Sequence, residues 1–194
     1  MPAVSLAAVG PAMLRVAGRV GDGVRLHSFC TQRYMEEVCM GHIETGLAQS
    51  GRTRADIEVH GGGFVAMGED DEAVEKAVDA VRYRVGFYGS TRTYFPVWEL
   101  YGLEDLGLKL HQLVADGKWD QIAGEVSDDV VRLFAAVGTY DNIAGAIGER
   151  FKGADSLKLN FPEGTAAGLK RDLVQDLQRI ETPFQGHKTQ RWAV

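Results

Sequence analysis

Strand-like and helix-like segments alternate along most of this sequence, and this alternation constrains the fold more than any other feature. Short apolar runs bounded by glycine, proline or polar residues are typical of strands, and they occupy residues 3–9, 24–29, 57–67 and 155–161. Apolar residues at helical spacing occupy the intervals between and after them, at residues 11–17, 32–49, 70–86, 141–151 and 169–180. Strands that alternate with helices in this way indicate parallel βα units.

Four βα units make up half of a (β/α)8 barrel. We therefore predict an α/β fold, a partial TIM-like barrel with a helical insertion at about 87–137 before the last strand. The pattern leaves a small doubly wound sheet open as an alternative. We expect residues 1–182 to form the barrel part and residues 183–194 to form a polar tail. Because the sequence opens directly on a strand, we also expect further barrel strands upstream.

Composition narrows the classes of function. The chain has 27 acidic and 21 basic residues, a net charge of −6, which opposes binding to a nucleic-acid phosphate backbone. No apolar run approaches the roughly 18 residues of a membrane span, so we expect no membrane partner. Cys30 and Cys39 fit neither a CxxC pair nor a disulfide framework. Such free thiols are typical of a reducing compartment, and we predict a cytoplasmic location.

The first candidate site lies where the first strand turns into the first helix, at Ala7-Ala8-Val9-Gly10-Pro11. Small residues at this place allow a flat ring or a phosphate to approach the backbone. A helix that begins at Pro11 also presents free N–H groups, which favour an anion. An ordinary βα turn is the alternative. The sequence has neither GxGxxG nor GxxxxGK[ST], so the two common nucleotide-binding motifs are absent.

The ordered set of motifs resembles the luciferase-like monooxygenase superfamily. The matching segments are Ala7-Ala8-Val9-Gly10-Pro11, Ala17-Gly18, Gly21-Asp22-Gly23-Val24, His27-Ser28-Phe29, Gly51-Arg52, Phe87-Tyr88-Gly89-Ser90-Thr91 and Val137-Gly138-Thr139. Together they are similar to the C-terminal part of members that use the deazaflavin coenzyme F-420. The resemblance implies that this chain supplies the fifth to eighth strands of a TIM-like barrel. It implies that the backbone of Ala7, Ala8, Val9, Gly10 and Pro11 contacts coenzyme F-420, with FMN as the alternative cofactor.

His27 is the candidate catalytic residue. A histidine at the end of a strand can give a hydrogen bond or a proton to a bound substrate near neutral pH. The alternative is a loop histidine held by the backbone. The resemblance implies that Ser28 and Phe29 face cofactor or substrate, and an aromatic pair that includes Tyr88 could form a wall of the substrate pocket or simply pack against a helix. His27 and Cys30 lack the further ligands that zinc needs, so we predict no metal site.

The resemblance implies hydride transfer between the deazaflavin and a small organic substrate, with an FMN-dependent monooxygenase as the alternative. A third hypothesis is a non-catalytic or partner-dependent half barrel. Such a half barrel exposes two strand edges and a wide inner face that we expect to be apolar, which favours association. The partner is then either a second copy, giving a homo-oligomer, or a complementary N-terminal barrel half. We expect the isolated chain to be inactive.

Overall fold

The computed structural model describes residues 2–186, and the strand pairings within them are parallel. The strands are β1 Ser5–Ala8, β2 Gly23–Leu26, β3 Glu58–His60, β4 Phe64–Gly68 and β5 Ala135–Thr139. They form a three-stranded sheet in the order β1-β2-β3 and a two-stranded sheet of β4 and β5. The predicted α/β class with parallel strands is confirmed.

Helices separate the strands as the periodicity predicts. In chain order they are α1 Pro11–Val20, α2 Gln32–Tyr34, α3 Met40–Gln49, α4 Asp71–Gly89, α5 Phe95–Glu99, α6 Glu104–Ala115, α7 Asp128–Phe134, α8 Ile143–Arg150 and α9 Ala167–Leu177. A π-helical segment, Met35–Cys39, joins α2 to α3. Short 3-10 turns occur at Arg54–Asp56, Arg92–Tyr94 and Ile122–Glu125. Among residues 2–186, no helix has both the length and the apolar character that crossing a membrane requires.

Local chemistry explains where the helices begin. Pro11 occupies the first turn of α1, where its missing N–H costs no hydrogen bond. The side chains of Thr31, Asp70 and Ser127 each accept a hydrogen bond from a backbone N–H at the start of α2, α4 and α7. Such caps stabilise a helix by about 1 kcal/mol each.

One face of the first sheet packs against α1 and α3. Alternate strand residues such as Val24, Leu26 and Val59 are buried in this core. The two helices cross closely at Gly18 and Gly46, because a Cβ at either glycine would collide with backbone of the other helix. This close crossing places both helices directly over the sheet.

The opposite face of the first sheet is polar, and no helix among residues 2–186 covers it. It carries Ser5, Ala7, Arg25, Glu58 and His60, of which Ser5, Ala7 and Arg25 are exposed. The expectation of an apolar inner face is therefore wrong for β1, β2 and β3. Polar residues alternate with buried ones because a strand directs successive side chains to opposite faces.

The predicted strand 57–67 is interrupted by its three glycines. Its first part is β3, and its second part is β4 in the other sheet. Gly61 lies against Ala154 and Phe151, where a Cβ would come within 2.9 Å of each. Gly63 has a φ of +134°, which side-chain-bearing residues rarely adopt. The glycines therefore permit the chain to leave one sheet and enter the other.

The predicted strand 155–161 is not a regular strand among the described residues. It pairs with the first sheet through the single parallel bridge between His60 and Ser156. The strand that closes the second sheet is instead β5, which begins inside the predicted insertion. The rest of that insertion is mainly helical and packs around Trp98, whose indole N–H donates to the Gly89 carbonyl at 2.9 Å.

Arg150 joins the two sheets from the end of α8. Its guanidinium donates to the carbonyls of Cys30, Gly62 and Phe134, which belong to three separate segments. Burial lowers the pKa of Arg150 to about 10, so the side chain remains cationic at neutral pH. A buried cation that donates to three carbonyls, and also lies 5.0 Å from the centroid of the Phe151 ring, ties these segments to one geometry.

The start of the predicted polar tail packs against residues Ala55 and Asp155. The N–H of Phe184 donates to Asp155 Oδ1 at 2.9 Å, and the N–H of Gln185 donates to the Ala55 carbonyl at 3.2 Å. Residues 187–194 of that predicted tail lie outside the described residues.

Candidate active site

A cleft lies at the carboxyl ends of β1 and β2, beside the π-helical segment and the Arg92–Tyr94 turn. Its wall consists of small, aromatic and sulfur-containing side chains together with a single histidine: Ala8, Val9, Leu26, His27, Phe29, Cys30, Tyr34, Cys39, Thr93, Tyr94 and Val97. The carboxyl ends of parallel strands are where barrel enzymes place their active sites. The cleft is therefore the candidate active site.

His27 is held in one orientation by hydrogen bonds to both of its ring nitrogens. The N–H of Phe29 donates to Nδ1 at 3.0 Å, and the Tyr94 hydroxyl lies 3.2 Å from Nε2. Because Nδ1 accepts a hydrogen bond, the neutral ring carries its proton on Nε2 and donates it to Tyr94. Burial lowers the pKa of His27, which favours this neutral form.

Aromatic rings surround His27. Its ring stacks on Tyr94 with centroids 4.5 Å apart, and it meets the edge of Tyr88 at 4.7 Å. Burial, and the proximity of Tyr88, raise the pKa of Tyr94. Across the cleft, burial raises the pKa of Tyr34 to about 12, with smaller contributions from Cys39, Cys30 and Glu99. These phenols keep their protons at neutral pH and can donate hydrogen bonds.

The five residues predicted to bind the cofactor lie in different environments. Ala8 is buried and Val9 is exposed, and both line the cleft. A Cβ added at Gly10 would meet nothing within 4 Å, so space is open beside its backbone. Pro11 begins α1, which has no side-chain cap. Ala7 lies on the open face of the first sheet, away from the residues that line the cleft.

Of the three predicted substrate-pocket residues, Phe29 alone lines the cleft. Phe29 is only 2% exposed, and it stacks on Phe134 with centroids 4.5 Å apart, so it forms the floor of the cleft as a core residue. Tyr88 contacts the edge of His27 but does not line the cleft. Ser28 is half-buried in the loop that follows β2, and it does not line the cleft either.

The two thiols meet in the cleft wall, although their spacing in sequence gives no sign of it. Cys30 and Cys39 belong to one buried cluster, and the Cys30 thiol donates to the Thr31 carbonyl at 3.5 Å. The adjacent Cys30 thiol, together with burial, raises the pKa of Cys39. The sequence analysis also missed Tyr94, which reaches His27 across 67 residues of chain. Only the aromatic character of the 87–101 segment could have suggested it.

The chain is similar to known proteins over most of its length. Residues 1–155 match the family model of the luciferase-like monooxygenase. The chain belongs to this family. It is 41% identical to an uncharacterized protein of Mycobacterium tuberculosis over 153 residues, which are 79% of this chain and 45% of that protein. It is 30% identical to a 5,10-methylenetetrahydromethanopterin reductase of Archaeoglobus fulgidus over 156 residues, 77% of this chain and 45% of that enzyme.

Solved structures show the same luciferase-like fold. The coenzyme F-420-dependent tetrahydromethanopterin reductase of Methanopyrus kandleri superposes with a TM-score of 0.68 at 23% identity, over 91% of this chain and 49% of that one. The EDTA monooxygenase of Chelativorans sp. BNC1 superposes with a TM-score of 0.56 at 17% identity, over 96% of this chain and 46% of that one. The chain thus spans about half the length of the relatives that it matches.

Proposed function

We propose that this chain supplies the C-terminal βα units of a coenzyme F-420-dependent oxidoreductase that transfers a hydride between the deazaflavin and a small organic substrate. Two relatives support the proposal, since one is a methylenetetrahydromethanopterin reductase and another is described as F-420-dependent. The observation in this chain that carries it is the position of His27, which is fixed at a cleft beside Ala8 and Val9.

The backbone at the first βα turn is open to a flat ring with an anionic tail. The backbone beside Gly10 is open, and a ring could lie against Val9 without meeting a bulky side chain at position 10. The uncapped start of α1 presents N–H groups to a negative charge. When bound, the deazaflavin supplies the hydride chemistry, and the protein orients the reactants and excludes water.

His27 then has a defined chemical task. Its Nε2–H donates to Tyr94, and the Tyr94 hydroxyl is left free to donate its own proton toward the cleft. The pair can hold a substrate carbonyl or hydroxyl by a hydrogen bond, and it can pass a proton to the oxygen as charge develops there. The surrounding rings of Tyr88 and Tyr94 restrict the motion of His27 and shield it from water.

A binding experiment tests the cofactor. The chain is co-expressed with the part of the M. tuberculosis relative that it does not cover, and the complex is titrated with coenzyme F-420 and separately with FMN, followed by fluorescence. We expect micromolar or tighter binding of F-420, and Gly10→Val should weaken it about tenfold by crowding the open backbone. Gly145→Val, at another open glycine, is the control. Tight binding of FMN alone would favour the FMN-dependent alternative.

We also propose that the chain acts with a partner, because among residues 2–186 β1 pairs with a strand on one side only, and no helix in that range covers one face of the first sheet. An open edge favours pairing with further strands. The partner is a complementary N-terminal barrel half or a second copy. Size-exclusion chromatography with light scattering distinguishes these cases. A monomer that unfolds in one sharp thermal transition and does not bind the added N-terminal half would contradict both.

A further inference from the structure

The open face of the first sheet carries a polar row that the proposed cofactor contacts do not use. Ala7, Arg25, His60 and Ser156 are cross-strand neighbours, so their side chains lie side by side near the carboxyl ends of the strands. The row occupies the face opposite α1 and α3. In a barrel this face points into the interior, toward the mouth where substrates bind.

The polar atoms of this row converge on His60. Its Nδ1 lies 3.1 Å from Ser156 Oγ, and its Nε2 lies 3.5 Å from an Arg25 guanidinium nitrogen. A guanidinium has only donors, so the Nε2 lone pair faces it and the neutral ring carries its proton on Nδ1. The contact is long for a hydrogen bond, and neither group satisfies the other well.

The row carries a positive charge on Arg25, with the carboxylate of Glu58 on the same face. Arg25 is exposed, and no carboxylate forms a salt bridge with it among residues 2–186. Asp155 is next to Ser156, but its Oδ2 already accepts hydrogen bonds from the Arg54 guanidinium at 2.6 Å and from the Val59 N–H at 2.7 Å. Glu58 is the remaining acid that acts on His60, and it only partly opposes the effects of burial and Arg25, which lower the pKa of His60.

We propose that Arg25, His60 and Ser156 form an oxyanion subsite that binds a carboxylate or phosphate group of the substrate. An anionic oxygen between the guanidinium and a protonated imidazole accepts a charge-assisted hydrogen bond from each, and the serine hydroxyl offers a further donor. The proton on Nε2 comes from solvent when the anion binds. This inference rests on the proposed function and adds a substrate class to it, namely a small organic anion.

The position of His27 directly after the end of β2 supports that substrate class. Arg25 precedes His27 by two residues, about 7 Å along an extended chain. A substrate anchored by its anionic group at Arg25 would therefore present a carbon only a few bonds away to His27. The subsite thus selects compact anionic molecules over neutral or extended ones.

The test is an NMR titration of the full 194-residue chain with sodium phosphate, and separately with sodium acetate, at ionic strength matched with sodium chloride. The imidazole ¹⁵N signals of His60 report both binding and protonation. We expect saturable shifts and a rise in the His60 pKa with at least one of these anions. Arg25→Gln should weaken the apparent affinity about tenfold or more, and Ser156→Ala should weaken it less.

Arg15→Gln is the matched control, because Arg15 also contacts a histidine, with 3.4 Å between its guanidinium and His42 Nδ1, but lies on the helical layer away from the open sheet face. This control should bind like the original chain. Identical affinity in Arg25→Gln, confirmed as folded by circular dichroism, would overturn the subsite, as would His60 shifts that never saturate with either anion. The titration needs no coenzyme, so its failure is distinguishable from a failure to bind F-420.

Discussion

The Nε2 atom of His27 lies 3.2 Å from the hydroxyl of Tyr94, and the two rings stack with their centroids 4.5 Å apart. One contact orients the imidazole in its plane and the other fixes the plane itself. The histidine is therefore held in place before any ligand arrives, which is what a proton-donating or orienting group requires.

The first prediction concerns the protonation of His27. Burial lowers its pKa, so the unfolded chain binds more protons than the folded chain between the lowered value and about 6.5. The free energy of unfolding should therefore fall as pH falls through this window. Imidazole ¹⁵N spectra should show the Nε2–H tautomer at neutral pH and a midpoint below 6.5. A midpoint above 6.5 would contradict the geometry of the cleft.

The second prediction concerns catalysis in the complex with the complementary half. His27→Ala should lower kcat/KM by about 10²–10⁴-fold if His27 transfers a proton. If it only positions the substrate, the loss should be smaller and should appear mainly in KM. Tyr94→Phe should cause a comparable loss and alter the pH profile, because it removes the hydroxyl that donates to the substrate and is the partner of Nε2.

Tyr83→Phe is the control for these kinetics, since Tyr83 is 42% exposed on α4. The affinity for coenzyme F-420 should change little in either cleft variant, because the proposed ring contacts lie at Ala8 to Gly10. Unchanged kinetics in His27→Ala would leave this histidine with a purely structural role.

The third prediction concerns Arg150. Arg150→Met keeps the aliphatic stem but leaves the buried carbonyls of Cys30, Gly62 and Phe134 without their donor. We expect the free energy of unfolding to fall by about 3 kcal/mol or more in urea titrations. Arg179→Met, which removes an exposed ion pair with Asp176, should cost under about 1 kcal/mol. Equal effects in the two variants would show that Arg150 does not join the sheets.

The fourth prediction compares a crowded glycine between β3 and β4 with an open glycine in α3. A Cβ at Gly62 would collide with the His27 carbonyl and the Cys30 side chain, so Gly62→Ala should destabilise the fold by about 1–3 kcal/mol. Gly41, exposed within α3, has nothing within 4 Å of such a Cβ. Gly41→Ala should therefore stabilise the chain by about 0.5–1 kcal/mol. Thermal unfolding measures both, and a stabilised Gly62→Ala would refute the close approach.

Local sequence signals predict where many helices begin, but they do not predict which strands pair with each other. Pro11 marks the start of α1, and Asp70 caps α4, because each acts on its own backbone. Whether residues 57–67 and 155–161 form regular strands depends on the strands with which they pair. In the second segment, Ser156 alone forms a β-bridge with β3. Strand pairing is a long-range property that apolar periodicity does not encode.

The candidate site divides in the same way. His27 can be identified from its place after an apolar strand, and Ala8 and Val9 from the adjacent turn. The approach of Tyr94 to His27, and the row of Arg25 and His60, depend on contacts across 67 and 35 residues. Such contacts follow from the packing of whole elements, so a single sequence does not reveal them.

The arrangement around Arg150 also constrains when the protein can mature during synthesis. Its guanidinium donates to the carbonyl of Cys30, which lies 120 residues earlier in the chain. The loop after β2 therefore cannot gain this contact until α8 has left the ribosome. Contacts of such long range slow folding, since the intervening chain must be ordered first. A nascent chain that ends before Arg150 therefore lacks the side chain that holds the Cys30 carbonyl beside the cleft of His27.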